Sequence, residues 1–479
     1  MKQITTVKST SGWLRTIRQI DSILRPLEFL ENRNQKYGDF YQVTFKNSPP
    51  TIVTSNPKAI EDIFTASPDK FEVGRSNKML SFLVGDNSLL LLDGKKHKNR
   101  RRLLMPPFHG ESLQKCSEQI VNITNKVCDC LDIKKPFKVR LLMQEITMRV
   151  ILSVVFGIDS GKRYDRLREL LTTLLETFNN PLNSSLIFFP FLQKDWGNFS
   201  PWGKFLLLQQ EIKTLIYAEI KERRELLASG KLETKDIFSL LLLAKDENGA
   251  GMTDEELHDE LITLLFAGHE TTASALAWLF YWVHYLPEVL EKLRFELNFW
   301  GNSLNYREIN NLAYLNAVVL ETLRIYPIAA GTFARVLTKP MSVMGYDFEP
   351  NTWLIISIYS LHHREDLYPN SKQFDPQRFL HKAYSSYEYI PFGGGNRRCI
   401  GSALALLEMK LVTATILSRF QLELASDRGA SRLPSRTNFV SRSKSEGFKH
   451  RPMLPVRRGL TIAPPASFKM KVKSRIDTK

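Results

Sequence analysis

Ten residues, Phe392 to Gly401, read FGGGNRRCIG. A thiol stands there in bare backbone between arginines. Gly393, Gly394 and Gly395 allow the chain to approach a neighbouring group closely. Arg397 and Arg398 add positive potential, which favours thiolate over thiol at Cys399. Gly401 opens a stretch rich in Ala and Leu that reads as a helix, and N–H groups at a helix start also stabilise an anion. A thiolate held in this way suits a soft or borderline metal.

A second group sits in GMTDEELHDELITLLFAGHETTASALAWLFYWVHYLP, residues 251–287. Thr253 followed by Glu256 is a capping box, so a helix starts there, and Pro287 ends it. About thirty residues at a 1.5 Å rise give roughly 45 Å, enough to cross a whole domain. Its middle is apolar nearly all round and so buried. Into that middle fall Gly268, His269, Glu270, Thr271 and Thr272. A mid-helix glycine costs about 1 kcal/mol against alanine, and a buried carboxylate costs more unless paired. Penalties clustered in this way mark a functional site. A zinc protease helix is excluded, because His-Glu-x-x-His would need a histidine where Ala273 stands.

Phe392, Gly395, Arg397, Cys399 and Gly401 fill the pattern F-x-x-G-x-R-x-C-x-G, and with it the chain resembles the cytochrome P450 family. Other motifs of that family follow in order. AGHETT (267–272) is similar to the oxygen-activating stretch of the long I helix. ETLR supplies Glu321 and Arg324, FDPQRF supplies Arg378, and HKNRR supplies His97 and Arg101 four residues apart, on one helix face. Glu-x-x-Arg recurs at Glu72/Arg75 and Glu291/Arg294, where a surface ion pair is the default reading. The family often has Trp at the position of His97, and His is also common there. The chain departs from the pattern in SDRGASRLPSRTNFVSRSKSEG (426–447), a longer segment than usual before the final hairpin.

The resemblance implies haem b, with Cys399 as axial ligand of the iron and Phe392, Gly395 and Gly401 shaping the loop around it. His97, Arg101, Arg335 and Arg397 are the implied partners of the two propionates. A kink at Gly268 would open room for dioxygen, with Thr271 as hydrogen-bond donor and Glu270 as proton relay, the two catalytic residues. Glu321, Arg324 and Arg378 would form a buried charge network that fixes the Cys399 loop. The implied activity is monooxygenation of a lipophilic substrate such as a fatty acid, alkane or terpenoid, as in an anchorless bacterial or cyanobacterial branch. Ferredoxin or flavodoxin with its reductase would supply electrons, steered by Lys95, Lys96, Lys98, Arg100 and Arg102. The alternatives are a peroxide-driven or isomerising haem-thiolate enzyme, which commonly lacks the Glu-Thr pair, and a haem sensor that performs no oxidation.

The elements that must position these groups are mainly α with small β-sheets, the fold class of the family, with the long I helix lying over the haem. DFYQVTFKN and TIVTS read as a small hairpin, residues 95–330 read mostly as helix, and TFARVL, SVMGYDFEP and TWLIISIYS read as strands. Residues 1–34 form an N-terminal segment without a membrane anchor, and 35–479 one domain, with 427–448 as a mobile loop. Four cysteines in 479 residues argue against a disulfide framework and for a reducing, cytoplasmic setting. The net charge of +16 is concentrated in residues 427–479, with 14 Lys/Arg against 3 Asp/Glu. That tail lacks interleaved aromatics, which argues against nucleic acid. Phe188, Phe189, Phe191, Trp196 and Phe199 could touch a membrane surface peripherally or pack under a loop. The segments expected to line the substrate pocket, SFLVGDNSLLLL, LIFFPFLQKDWGNFSPW and IAAGTF, are apolar, and the expected state is a monomer.

Overall fold

The structure is a computed structural model, and it describes residues 21–22, 24–44, 49–179, 193–300, 306–425 and 452–476. The segments 427–448 and 188–191, on which a mobile loop and part of the aromatic cluster were expected, lie outside the described residues.

One helix organises the rest. It runs from Asp254 to Tyr285. Its capping box forms as the sequence requires: Thr253 Oγ1 accepts the Glu256 N–H at 3.2 Å, and Glu256 Oε2 accepts the Thr253 N–H at 3.0 Å. Pro287 ends it and begins the next helix, Pro287–Trp300. Its apolar length is buried among Val139–Val150, Pro201–Ala228, Ala313–Ile325 and Ser402–Arg419. Gly268, where an opening was expected, lies inside this helix. The helix passes through that residue unbroken, and the missing side chain admits Ile151 from a π-type turn, Ile151–Val155. A Cβ on Gly268 would stand 2.5 Å from Ile151 Cδ1.

The strands are β1 (Phe40–Val43), β2 (Thr51–Thr54), β3 (Phe71–Glu72), β4 (Pro136–Lys138), β5 (Arg335–Leu337), β6 (Met341–Val343), β7 (Tyr346–Phe348), β8 (Trp353–Ile356), β9 (Phe420–Leu424), β10 (Val456–Arg458), β11 (Thr461–Ala463) and β12 (Lys469–Arg475). The hairpin expected near the start is β1–β2, with Phe40 opposite Thr54. It joins a five-stranded sheet in the order β1-β2-β8-β5-β3. The remaining strands make three smaller sheets, β4-β12-β9, β6-β7 and β10-β11. The run read as one strand over TWLIISIYS stops at Ile356. Ser357 then caps a short helix, Ile358–His362, by accepting the Ser360 N–H, because a side-chain oxygen at that point competes with the sheet ladder.

No helix among the described residues is long and apolar enough to cross a membrane. Replacing Thr253 with Ala should cost about 1 kcal/mol by loss of the cap. Denaturant unfolding should show a lower midpoint at unchanged slope, and an unchanged midpoint would deny the box any energetic part.

Candidate active site

The loop carrying Cys399 folds on itself. Gly393 and Gly395 take φ of 67° and 61°, the left-handed region that glycine enters without strain. Gly394 between them is pressed against Phe64, whose ring a Cβ would meet at 2.1 Å. The Cys399 N–H then donates to Phe392 O at 3.0 Å, closing the turn, and the helix Ser402–Arg419 begins with Gly401 at its cap. Cys399 borders open interior space and is exposed by area, yet protein surrounds it densely enough for burial to push its thiol above the ordinary value. The Gly401 N–H, Arg101 and Arg398 pull the other way. Arg397 was expected beside the sulfur; instead its guanidinium turns to Leu92 O at 2.6 Å and to the Asp93 carboxylate at 2.5 Å.

The expected propionate partners gather near this loop. His97 and Arg101 share one face of the helix Gly94–Leu104. Burial and the charges of Arg397 and Arg101 push His97 down to about 3, so it is neutral at ordinary pH. Arg335, on β5, is buried, and it donates to Gly394 O at 3.0 Å and lies over the Phe64 ring. Burial and then the charge of Arg397 draw Arg335 down to about 10. Arg397 is likewise lowered to about 10 by burial, and its buried Nε has no partner. Buried cations without an equal number of anions are costly. The donor set therefore fits a group with a thiolate-binding metal and carboxylates of its own, which is the chemistry of haem. No group of three or more His, Cys, Asp or Glu among the described residues could hold a metal by itself.

Asp93 escaped the sequence reading. An Asp just before a helix reads as its cap, but here the side chain makes no cap bond. Oδ1 instead accepts the Val73 and Gly74 N–H groups at 2.8 and 3.0 Å and pairs with Arg397. Arg100 was expected on an exposed docking face; it is buried, bonded to Asn87 O and ion-paired with Glu256 and Glu260 of the central helix. Arg102 pairs with Glu247, which leaves Lys95, Lys96 and Lys98 exposed on that helix.

On the central helix, Ala267 is exposed and Phe266, Gly268 and Thr271 are half-buried in an otherwise buried run, which marks one wall of the interior space. The Thr271 hydroxyl donates back to Ala267 O at 2.5 Å. Glu270 is turned from that wall: Arg140 meets it at 2.7 Å, Gln144 donates to it at 2.6 Å, and Arg458 of β10 stands at 3.7 Å. Arg140 and Gln144 come from one helix and Arg458 from a distant strand, and no short motif announced them.

The expected charge network is formed. Arg324 Nε meets Glu321 Oε2 at 2.6 Å with neither side chain exposed, and Arg378 Nε reaches Glu321 Oε1 at 3.2 Å. Arg324 also donates to His362 O and Gln373 O. His362 Nε2 in turn accepts the Ile390 N–H at 3.0 Å, two residues before Phe392, so the network does reach the Cys399 loop. Of the two other Glu-x-x-Arg pairs, Glu72–Arg75 is the expected exposed contact at 3.7 Å, whereas Arg294 reaches Phe420 O.

Residues 13–450 match the profile of the family described as Cytochrome P450. A protein of Mycobacterium tuberculosis, provisionally named cytochrome P450 135B1, is 35% identical over 406 residues, covering 84% of this chain and 83% of the relative. A second from the same organism, provisionally named cytochrome P450 138, is 32% identical over 396 residues, 82% and 85% of the two chains. Among solved structures, the retinoic acid-bound cyanobacterial CYP120A1 superposes with a TM-score of 0.76 at 23% identity, covering 95% of this chain and 96% of that one. The heme domain of cytochrome P450DA gives 0.79 at 20% identity, covering 99% and 98%. At those identities the structural likeness speaks for the fold.

Burial pushes His362 down to about 3, so between that value and the ordinary 6.5 the unfolded chain binds a proton that the folded chain does not. Its contribution is complete above pH 6.5 and is lost as the pH falls toward 3. Unfolding free energies measured across that window should fall less steeply for His362→Gln than for the parent, and equal slopes would refute the assignment.

Proposed function

The chain belongs to the cytochrome P450 family and is a haem-thiolate monooxygenase, and from that premise we propose that it inserts one atom of dioxygen into a lipophilic substrate, a fatty acid, alkane or terpenoid, with electrons delivered by a separate ferredoxin or flavodoxin and its reductase. The observation that carries the reading is the Cys399 loop, which sets one thiol beside Arg101 and Arg398 and, through Gly394, meets Arg335, itself close to Arg397.

Haem bound there supplies dioxygen activation, which a thiolate ligand favours by pushing electron density onto the iron. This chain's residues bind and orient. Cys399 holds the iron, while the Gly401 N–H and Arg101 offset the burial that disfavours its thiolate. Arg335 and Arg397 take the cofactor's carboxylates, and neutral His97 adds a hydrogen bond without adding charge. Phe392, Gly395 and Gly401 give the loop its shape. Thr271 offers a hydroxyl at the wall of the pocket once it turns from Ala267 O, and Glu270 holds a proton-accepting carboxylate one residue before it. Glu321, Arg324 and Arg378 keep the loop in place.

The substrate class is supported by the apolar character of the segments proposed to line the pocket. Phe82 packs on Trp202 and Phe205 at 5.1 and 5.5 Å, joining the segment before Gly94–Leu104 to the helix Pro201–Ala228. Apolar surface exposed to a pocket rewards burial of hydrocarbon by roughly 25 cal/mol per Å². Exposed Lys95, Lys96 and Lys98, with exposed Arg398 next to Cys399, suit an acidic redox protein. Trp196 and Phe199, 65% and 94% exposed, suit peripheral contact with a lipid surface. Residues 35–479 act as one catalytic domain, in keeping with a core cluster that runs from Leu80 to Val472.

Reduced under carbon monoxide, the holoprotein should show the red-shifted Soret band of a thiolate-ligated haem, and Cys399→Ser should lose it. A variant that keeps the band would refute the ligand assignment. Thr271→Ala should keep that band but divert reducing equivalents to peroxide, so that product per dioxygen consumed falls several-fold. Unchanged coupling would remove Thr271 from the mechanism.

A further inference from the structure

We propose that a chain of oxidisable rings, Trp278, Tyr326, Trp282, Tyr281 and Tyr285, carries single oxidising equivalents from the haem site to the surface and so spares the site when no substrate is bound. The proposal rests on the haem-thiolate reading above.

Trp278 lies seven residues after Thr271 on the same unbroken helix. Seven residues are two turns, so the two side chains share a stripe about 10 Å apart along the axis. From Trp278 the rings are in steady contact. Its centroid is 4.4 Å from Tyr326, which is 5.7 Å from Trp282. Trp282 is 5.2 Å from Tyr281 and 5.8 Å from Tyr285, and Tyr281 and Tyr285 stack at 5.3 Å. The first four rings are buried and Tyr285 is half-exposed, so the series leads outward. Phe374 stacks on Trp282 and Phe468 meets Tyr281 edge-on, placing rings that are much harder to oxidise along the flanks.

Packing alone does not call for these ring types. Aromatic pairs at such spacing are ordinary core contacts, and Phe would serve without a polar atom. Yet the indole N–H groups of Trp278 and Trp282 are buried without a partner, each at a cost of about 1–3 kcal/mol. Indole and phenol are the aromatic side chains that most readily give up one electron. An oxidised indole with no acceptor for its N–H proton keeps that proton and passes the hole on. Both buried phenols are held by the backbone of one residue: Tyr326 donates to Met453 O at 3.3 Å, and the Met453 N–H donates to the Tyr281 oxygen at 2.6 Å. A backbone carbonyl is too weak a base to keep a phenolic proton. Tyr285, reaching solvent, is where deprotonation completes the transfer.

The electron count closes with hydrogen peroxide as oxidant. Its O–O bond breaks and two waters form, taking two electrons from the rings one at a time and two protons from solvent. Each hole is refilled at Tyr285 by a one-electron reductant such as ascorbate.

The test treats the ferric holoprotein with hydrogen peroxide in the absence of substrate. Protein radicals are read by freeze-quench electron paramagnetic resonance, spin-trap adducts are mapped by mass spectrometry, and haem bleaching is followed with and without ascorbate. The parent protein should show a tyrosyl radical and an adduct at Tyr285, with bleaching slowed by ascorbate. Tyr285→Phe, at a half-exposed position where folding is safe, should lose that adduct and the ascorbate protection and bleach several-fold faster. Trp278 also meets Tyr281 directly at 5.7 Å, so two routes lead to Tyr285, and the double variant Trp282→Phe/Tyr281→Phe, which interrupts both, should do the same. A normal thiolate-type Soret band with unchanged bleaching, or adducts confined to residues off the chain, would overturn the proposal alone. Absence of that band would instead overturn the haem reading beneath it.

Discussion

A guanidinium and a carboxylate taken wholly out of water each lose several kcal/mol of solvation, and Arg324 and Glu321 recover it only by meeting every neighbour at once. Glu321 accepts from Arg324, from Arg378 and from the Asp375 N–H, while Arg324 spans His362 O and Gln373 O. Through His362 and Ile390 the cluster pins the chain that leads into the Cys399 loop. Breaking one partner of such a network typically costs about 3–5 kcal/mol. The loop's shape is thus bought with a charge arrangement that works only when complete.

The central helix is the second support. One stripe of it forms a wall of the interior space, another faces Arg140 and Arg458 through Glu270, and its first turns hold Arg100 through Glu256 and Glu260. Arg100 neighbours Arg101 on the helix Gly94–Leu104, so the helix that bears the proposed propionate partners is docked against the one that bears Thr271. Burial pushes Glu260 up to about 7 despite the nearby guanidinium, a measure of how dry this junction is.

Features encoded within a few neighbouring residues could be read from sequence alone. The capping box at Thr253, the stop at Pro287, the β1–β2 hairpin and the helix after Gly401 each rest on local chemistry, and each stands where it was expected. The Glu321–Arg324–Arg378 cluster was reached through the order of motifs. What could not be read depends on which distant segment arrives. Gly268 signalled an opening, but not that Ile151 would pack against it. Asp93 sits where a cap belongs and serves Val73 and Gly74, at the start of the helix Gly74–Asn77, and Arg397. Arg100 sits in a basic run that looks solvated, and tertiary pairing buries it. Arg140, Gln144 and Arg458 converge on Glu270 from two separate parts of the chain.

Asp93 has one further implication, for the balance of charge at this corner of the molecule. It supplies a single negative charge to a neighbourhood that also holds Arg101, Arg335 and Arg397. That neighbourhood confines like charges together. The negative charge that this corner lacks is one the cofactor's own carboxylates would bring, so an occupied site would be better balanced than an empty one.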